Sequence, residues 1–205
     1  MRSSCRTAPA AEPCPALAKD GNDWSKEDGP RERLHVSGQA LWVAPMKNEL
    51  MPIRPGDLDA ILALNNDHAR ELSWLDSEKL EHLASEAFLA LRAPRFEAFM
   101  LAFDQDADYS SENFLWFKAR YPRFAYVDRV AVAAEARGRG LARTFYEALF
   151  DRARSSGHTL VAAEVNSDPP NPASDAFHAA MGFKEVGSAA VYGGQRSVRY
   201  FVRKL

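Results

Sequence analysis

Seven residues hold the chain's clearest chemical signal: Arg137-Gly138-Arg139-Gly140-Leu141-Ala142-Arg143, which follow the apolar run Val130-Ala131-Val132-Ala133-Ala134 after Glu135-Ala136. An apolar strand that runs through glycines into a helix brings free backbone N–H groups and the positive end of the helix dipole to one turn. Glycine lets a bulky phosphate approach the backbone, and the three arginines add cationic charge. The turn is built to receive a phosphate-bearing ligand. Two phosphate motifs are excluded by particular residues. A P-loop needs Lys-Ser/Thr after its last glycine, and Leu141 follows Gly140. A dinucleotide fingerprint needs a third glycine where Arg143 stands. The bland alternative is a tight strand-to-helix turn without a ligand.

The elements that must position this turn follow from periodicity and breakers. Tyr126–Val132 alternates as a strand, and Arg137–Ser156 reads as a helix stopped by Gly157. Upstream, Leu50–Arg54 is a short strand before Pro55-Gly56. Asp57 is expected to cap a helix with Leu58, Ile61, Leu62 and Leu64 on its apolar face, and a second helix starts at Asp76 or Ser77. Ala87–Arg92 and Phe96–Phe103 pair around Ala93-Pro94, and a polar, aromatic loop spans Asp104–Arg123. Downstream come a strand at His158–Val165, a short helix at Ser174–Met181, and strands at Phe183–Val186 and Arg196–Val202. Strands alternating with helices predict an α/β or α+β sheet domain.

Arg137-x-x-Gly140-x-Ala142 resembles the Gln/Arg-x-x-Gly-x-Gly/Ala signature of the GNAT superfamily of acetyl-CoA-dependent N-acetyltransferases. A second family feature follows in order: Asn171, a short helix with the aromatic pair Phe177-His178, then Gly182-Phe183. The resemblance spans roughly 50–205 and implies a mixed, mostly antiparallel twisted sheet flanked by helices. It implies acetyl-CoA as cosubstrate, its pyrophosphate on the amides of Arg137, Gly138, Arg139, Gly140, Leu141, Ala142 and Arg143. It also implies that backbone groups of Val130, Ala131 and Val132 pair with pantetheine, that Asn171 hydrogen-bonds the pantetheine arm, and that Phe177 packs near it.

Family chemistry is direct attack of a neutral amine on the thioester. An alkylamine of pKa near 10.4 is on the order of one part in a thousand neutral at pH 7, so a base helps. Asp128 and Glu164, each near the C-terminal half of a central strand, are the candidates; by strand parity Asp128 shares a face with Val130 and Val132. A structural ion pair with Arg129 is the alternative. The family's thiolate-protonating tyrosine is replaced by His178, whose imidazolium would then be the acid. Acidic residues near Tyr109, Phe114, Trp116 and Phe117 suit a cationic amine, or form a solvated loop before a helix. An acyl-CoA-binding or regulatory module without catalysis is the alternative function.

Composition narrows the partners. At 205 residues and net charge −2, with mixed charges throughout, the chain lacks the basic surface that nucleic acid requires. It has no apolar run of membrane-spanning length and no secretory signal, so a cytoplasmic protein is expected. Two cysteines, Cys5 and Cys14, and no paired histidines predict no metal site. The expected partner is a small-molecule or peptide amine, with a homodimer left open. Residues 1–48, rich in proline and small residues, read as a disordered tail, with Met46 as an alternative start.

Overall fold

The computed structural model describes residues 49–205; the expectations for 1–48 and Met46 lie outside the described residues. Seven strands form one sheet in the order β1-β2-β3-β4-β5-β7-β6. They are β1 (Met51–Pro52), β2 (Leu89–Arg92), β3 (Ala98–Asp104), β4 (Ala125–Val132), β5 (Leu160–Asp168), β6 (Lys184–Val191) and β7 (Arg196–Lys204). Every pairing is antiparallel except β4 with β5. The helices are α1 (Leu58–Asp67), α2 (Ala69–Leu72), α3 (Ser77–Glu86), α4 (Glu112–Lys118), α5 (Leu141–Ser155) and α6 (Pro172–Ala180). The expected mixed, mostly antiparallel sheet with flanking helices is the fold observed.

Two features of β4 create the site. Its parallel pairing with β5 covers only Ala125–Val127 against Val161–Ala163, whereas its pairing with β3 continues to Val132. The outer half of β4 therefore has a strand neighbour on one side only. A bulge opposite Leu101 and Ala102 leaves Asp128 without a partner across the ladder. A bulge bends a strand and re-aims its side chains. Here it sits where β4 and β5 part.

Local differences from the sequence reading have identifiable causes. Asp57 ends a short 3-10 turn, Pro55–Asp57, instead of capping α1; its carboxylate accepts from Arg54 N (2.9 Å) and Arg92 Nε (2.8 Å). Asp76 does cap α3, accepting from Lys79 N at 2.7 Å. The expected Arg137–Ser156 helix begins only at Leu141, because Gly138 and Gly140 hold left-handed φ values of 75° and 82°. The Asp104–Arg123 loop contains α4, whose Phe114 and Phe117 are fully buried.

Helix α4 is fastened to β7 by Trp116, which stacks on Tyr200 (centroids 4.1 Å, 21°) with the Arg120 guanidinium 3.9 Å from its ring. A Cβ at Gly187 would stand 2.8 Å from Trp116 Cζ2. The indole is held between two groups and has little room to yield. Gly187→Ala is expected to destabilise the protein by about 1–3 kcal/mol through overpacking, measured as a lower denaturation midpoint in urea. An unchanged midpoint would show that α4 shifts freely.

Candidate active site

The gap between β4 and β5 opens into a cavity of about 400 Å³, within the range of small-ligand sites. Its walls include Val130, Ala131 and Val132 of β4, Arg137 and Ala142 of the glycine turn, Glu164 of β5, and Asn171, Phe177 and His178 around α6. Residues proposed from distant parts of the sequence thus meet at one cavity.

The glycine turn meets the physical requirements for an anion. Gly140 precedes α5, no side chain caps the helix, and the first turn carries no acid. A Cβ built on Gly138 or Gly140 would meet nothing within 4 Å, so the turn is an open cradle. Its arginines are partly engaged. Arg137 Nε donates to the Val132 carbonyl (3.4 Å), Arg139 approaches Glu97 (3.3 Å), and Arg143 lies 3.9 Å from Glu147. Backbone N–H groups are the uncommitted donors at the start of α5. Asn171 caps α6 through Oδ1, which accepts from Ser174 N (3.1 Å), leaving only its side-chain nitrogen to donate. Phe177 lies edge-on to Tyr146 at 5.0 Å.

Both candidate carboxylates line the cavity, in different environments. Tyr109 donates its hydroxyl to Asp128 Oδ1 (2.7 Å), and Arg129 Nε lies 2.9 Å from Oδ2 without hydrogen-bond alignment. Arg129 also reaches Asn65 Oδ1 (3.0 Å) and the Leu72 carbonyl (2.8 Å), so it ties α1 and α2 to the bulge. Glu164 Oε1 accepts from Asn113 Nδ2 (3.2 Å), which is itself fixed by the Tyr200 hydroxyl (3.1 Å). Glu164 Oε2 is buried without a hydrogen-bond partner. Burial, then the neighbouring Asp128 carboxylate, push the Glu164 pKa up to about 8. One carboxylate is an ion-paired anchor; the other titrates close to neutrality.

His178 departs from the expected free imidazolium. It is 3% exposed, and Nδ1 lies 2.8 Å from the Ser174 carbonyl, which can only accept. That contact fixes the proton on Nδ1, so Nε2 accepts from the Tyr146 hydroxyl at 2.8 Å. Burial lowers the His178 pKa and raises that of Tyr146, keeping both neutral. With both nitrogens engaged, the ring holds no proton free for the cavity.

The acidic-loop reading is narrowed as well. Tyr109 reaches the cavity, but Phe114 and Phe117 belong to the core, and Asp104 lies 3.8 Å from His158. Sequence reasoning missed Asn113, Tyr146 and the strap around α2. Tyr146 left one signal, since a tyrosine on the apolar face of a long helix needs a partner for its hydroxyl. The strap left none. Its carbonyls accept from three separate strands: Leu72 from Arg129, Glu71 from Asn166 (3.2 Å) and Arg70 from Arg196 (3.4 Å). Among the described residues no cluster of three or more His, Cys, Asp or Glu is placed to hold a metal, and no helix is long and apolar enough to cross a membrane.

Comparison with known proteins gives a concordant picture. L-2,4-diaminobutyric acid acetyltransferase of Wolinella succinogenes is 34% identical over 67 residues, covering 33% of this chain and 39% of that protein. The chain thus matches well under half of that relative. Ribosomal-protein-alanine N-acetyltransferase of Brucella melitensis superposes with a TM-score of 0.58 at 25% identity, covering 77% of this chain and 99% of that one. NAA60 of Arabidopsis thaliana, solved with acetyl-CoA, has the same fold, with a TM-score of 0.60 at 15% identity over 76% of this chain and 97% of that one. The model of the acetyltransferase (GNAT) family matches residues 66–183, more than half of the sequence. The chain belongs to the acetyltransferase (GNAT) family.

Proposed function

We propose that the protein transfers the acetyl group of acetyl-CoA to a primary amine by direct attack. The observation carrying this reading is one cavity that joins an uncapped helix N-terminus, the one-sided half of β4 and the raised-pKa carboxyl of Glu164. Acetyl-CoA supplies the activated acyl group. The backbone amides from Arg137 to Arg143 would hold its pyrophosphate, and Val130, Ala131 and Val132 would pair with pantetheine as an added strand does. Asn171 would donate to the pantetheine arm, with Phe177 packing beside it. The ionised form of Glu164 would take the proton the amine sheds as its C–N bond forms and the C–S bond breaks, CoA leaving as the thiolate and taking its proton from solvent. Asp128, anchored by Tyr109 and Arg129, would keep negative charge beside the incoming ammonium. Incubation with acetyl-CoA and a panel of primary amines, read as free thiol released, tests the proposal. CoA binding with no thiol release across the panel would favour the alternative of a non-catalytic acyl-CoA-binding module. His178 in place of the family's tyrosine is the feature that keeps this alternative in view.

His178 is proposed as a positioning residue acting through Tyr146. His178→Ala would strand a buried hydroxyl, a loss of about 1–3 kcal/mol, visible as a lower thermal midpoint. The ring stays neutral in this role, so the pH profile of turnover in the variant should keep the wild-type shape. Loss of a titration limb from the profile in the variant would return His178 to the role of acid.

A further inference from the structure

Asp128 gives the acceptor end of the cavity a negative charge and Glu164 a second carboxyl, yet the same cavity contains a guanidinium that neither of them pairs with. Arg196, the first residue of β7, lines the cavity and is partly buried. Among the described residues the arginines that pair with carboxylates are Arg92, Arg129, Arg139, Arg143, Arg154 and Arg199; Arg196 makes no such pair. Glu71 borders the cavity too, but no ion pair within 4.0 Å joins it to Arg196. Among the described residues the one hydrogen bond of the Arg196 guanidinium, from Nη2 to the Arg70 carbonyl at 3.4 Å, is long. It leaves most of the five N–H donors uncommitted.

The placement is fixed by the sheet. Glu164 stands opposite Tyr200, and Arg196 lies four residues along the same strand, on the same face by alternation. That is roughly 13 Å of strand, and the two side chains reach across part of it. The tip between β6 and β7 adjoins this arrangement, Arg196 being paired with Val191. Tyr192 keeps a left-handed φ of 53°, its N–H donates to Glu112 Oε2 (2.9 Å), and its side chain lines the cavity beside Arg196. A non-glycine residue at positive φ is a strained feature that survives where its surroundings impose it.

We infer that the acceptor is an amino acid whose reacting amine is separated from its carboxylate by several carbons, the amine at Glu164 and Asp128 and the carboxylate on Arg196. This rests on the acetyl-transfer reading and adds the substrate class. A plain amine would satisfy the acidic end and leave the guanidinium without a counter-ion. An α-amine beside its own carboxylate is too short to engage both. A guanidinium–carboxylate contact is charge-assisted and planar-matched.

The test compares γ-aminobutyrate with butylamine, two amines of equal chain length with and without the carboxylate. In the wild-type protein γ-aminobutyrate should show a KM below that of butylamine by on the order of ten- to a hundred-fold. Arg196→Gln keeps a donor for the Arg70 carbonyl but removes the charge, and should bring the ratio of the two KM values close to one; Arg196→Lys should restore part of it. Equal KM values in the wild type would overturn the inference, as would a ratio that Arg196→Gln leaves intact. Loss of acetyl-CoA affinity with the ratio intact would assign Arg196 to the cosubstrate and also overturn it. If neither amine is acetylated, the acetyl-transfer reading fails on its own. Calorimetric binding of the same pair to CoA-saturated protein then decides the role of Arg196, tighter binding of γ-aminobutyrate supporting it and equal binding refuting it.

Discussion

Glu164→Gln is expected to lower turnover by about 10²–10⁴-fold, the usual contribution of a general base. The substitution keeps the shape and the capacity to accept from Asn113, so the loss should fall on chemistry and leave acetyl-CoA binding near its wild-type value. The pH dependence carries the stronger signature. Glu164 is held near 8, so its ionised form accumulates only as pH rises through that value. Wild-type kcat/KM should therefore climb across pH 7–9, and this inflection should vanish in the glutamine variant. Stability runs in the opposite direction. A carboxyl with a raised folded-state pKa keeps its proton where the unfolded chain has lost it, so stability falls between about pH 4.5 and 8. Glu164→Gln should flatten that slope. A variant with wild-type turnover and an unchanged inflection near pH 8 would transfer the base role elsewhere, with Asp128 next in line.

Gly140→Asp should lower CoA affinity by on the order of a hundred-fold or more, the scale expected when charge-assisted hydrogen bonds give way to repulsion between like charges. The backbone at this position has φ +82°, which aspartate tolerates better than most residues, and a Cβ there has open space around it. The fold should survive, and the carboxylate would occupy the place of the pyrophosphate. Gly140→Asn is the matched control, similar in shape and conformational tolerance but uncharged. Calorimetry should rank affinity as wild type, then Asn, then Asp. Equal affinities for the two variants would mean that geometry alone governs the turn. Undiminished affinity in a folded Asp variant would remove the cosubstrate from this turn altogether.

The glycine turn was legible because its chemistry is local. The backbone freedom of Gly138 and Gly140 and the helix that follows are encoded within a few residues. The strands were legible by alternation, and the cap at Asp76 by residue type. What escaped depends on contacts far apart in the chain. Asp128 has the right parity, but its place in a bulge is set by how β3 registers on β4, a non-local property. The pairing of His178 with Tyr146 joins residues 32 apart. No spacing rule announces that a buried ring has both nitrogens committed. The segment Asp104–Arg123 left two readings open, a surface for cations or a solvated loop before a helix with one apolar side; α4, with Phe114 and Phe117 buried, is the second. The link from the α2 strap to β4, β5 and β7 uses main-chain carbonyls, which every residue has, so its side-chain identities encode nothing.

The parting of β4 from β5 has a consequence for solubility. Unpaired strand backbone templates the strands of other molecules, and proteins blunt such edges with short strands, prolines, charges or bulges. The outer edges of this sheet follow that practice: β1 has only two residues, one of them Pro52, and β6 begins with the exposed Lys184 and Glu185 beside a bulge. The interior edge along Val130–Val132 cannot be treated likewise. A proline would delete a donor, and an inward charge would fill the cavity. Its protection must come from enclosure instead. The strap pinned by Arg129, Asn166 and Arg196 lines one side of the opening. An intruding strand needs about 4.8 Å on each side to pair, plus room for side chains on both faces, and the strap stands where that room would be taken. The segment that shields this edge is thus also a wall of the cavity.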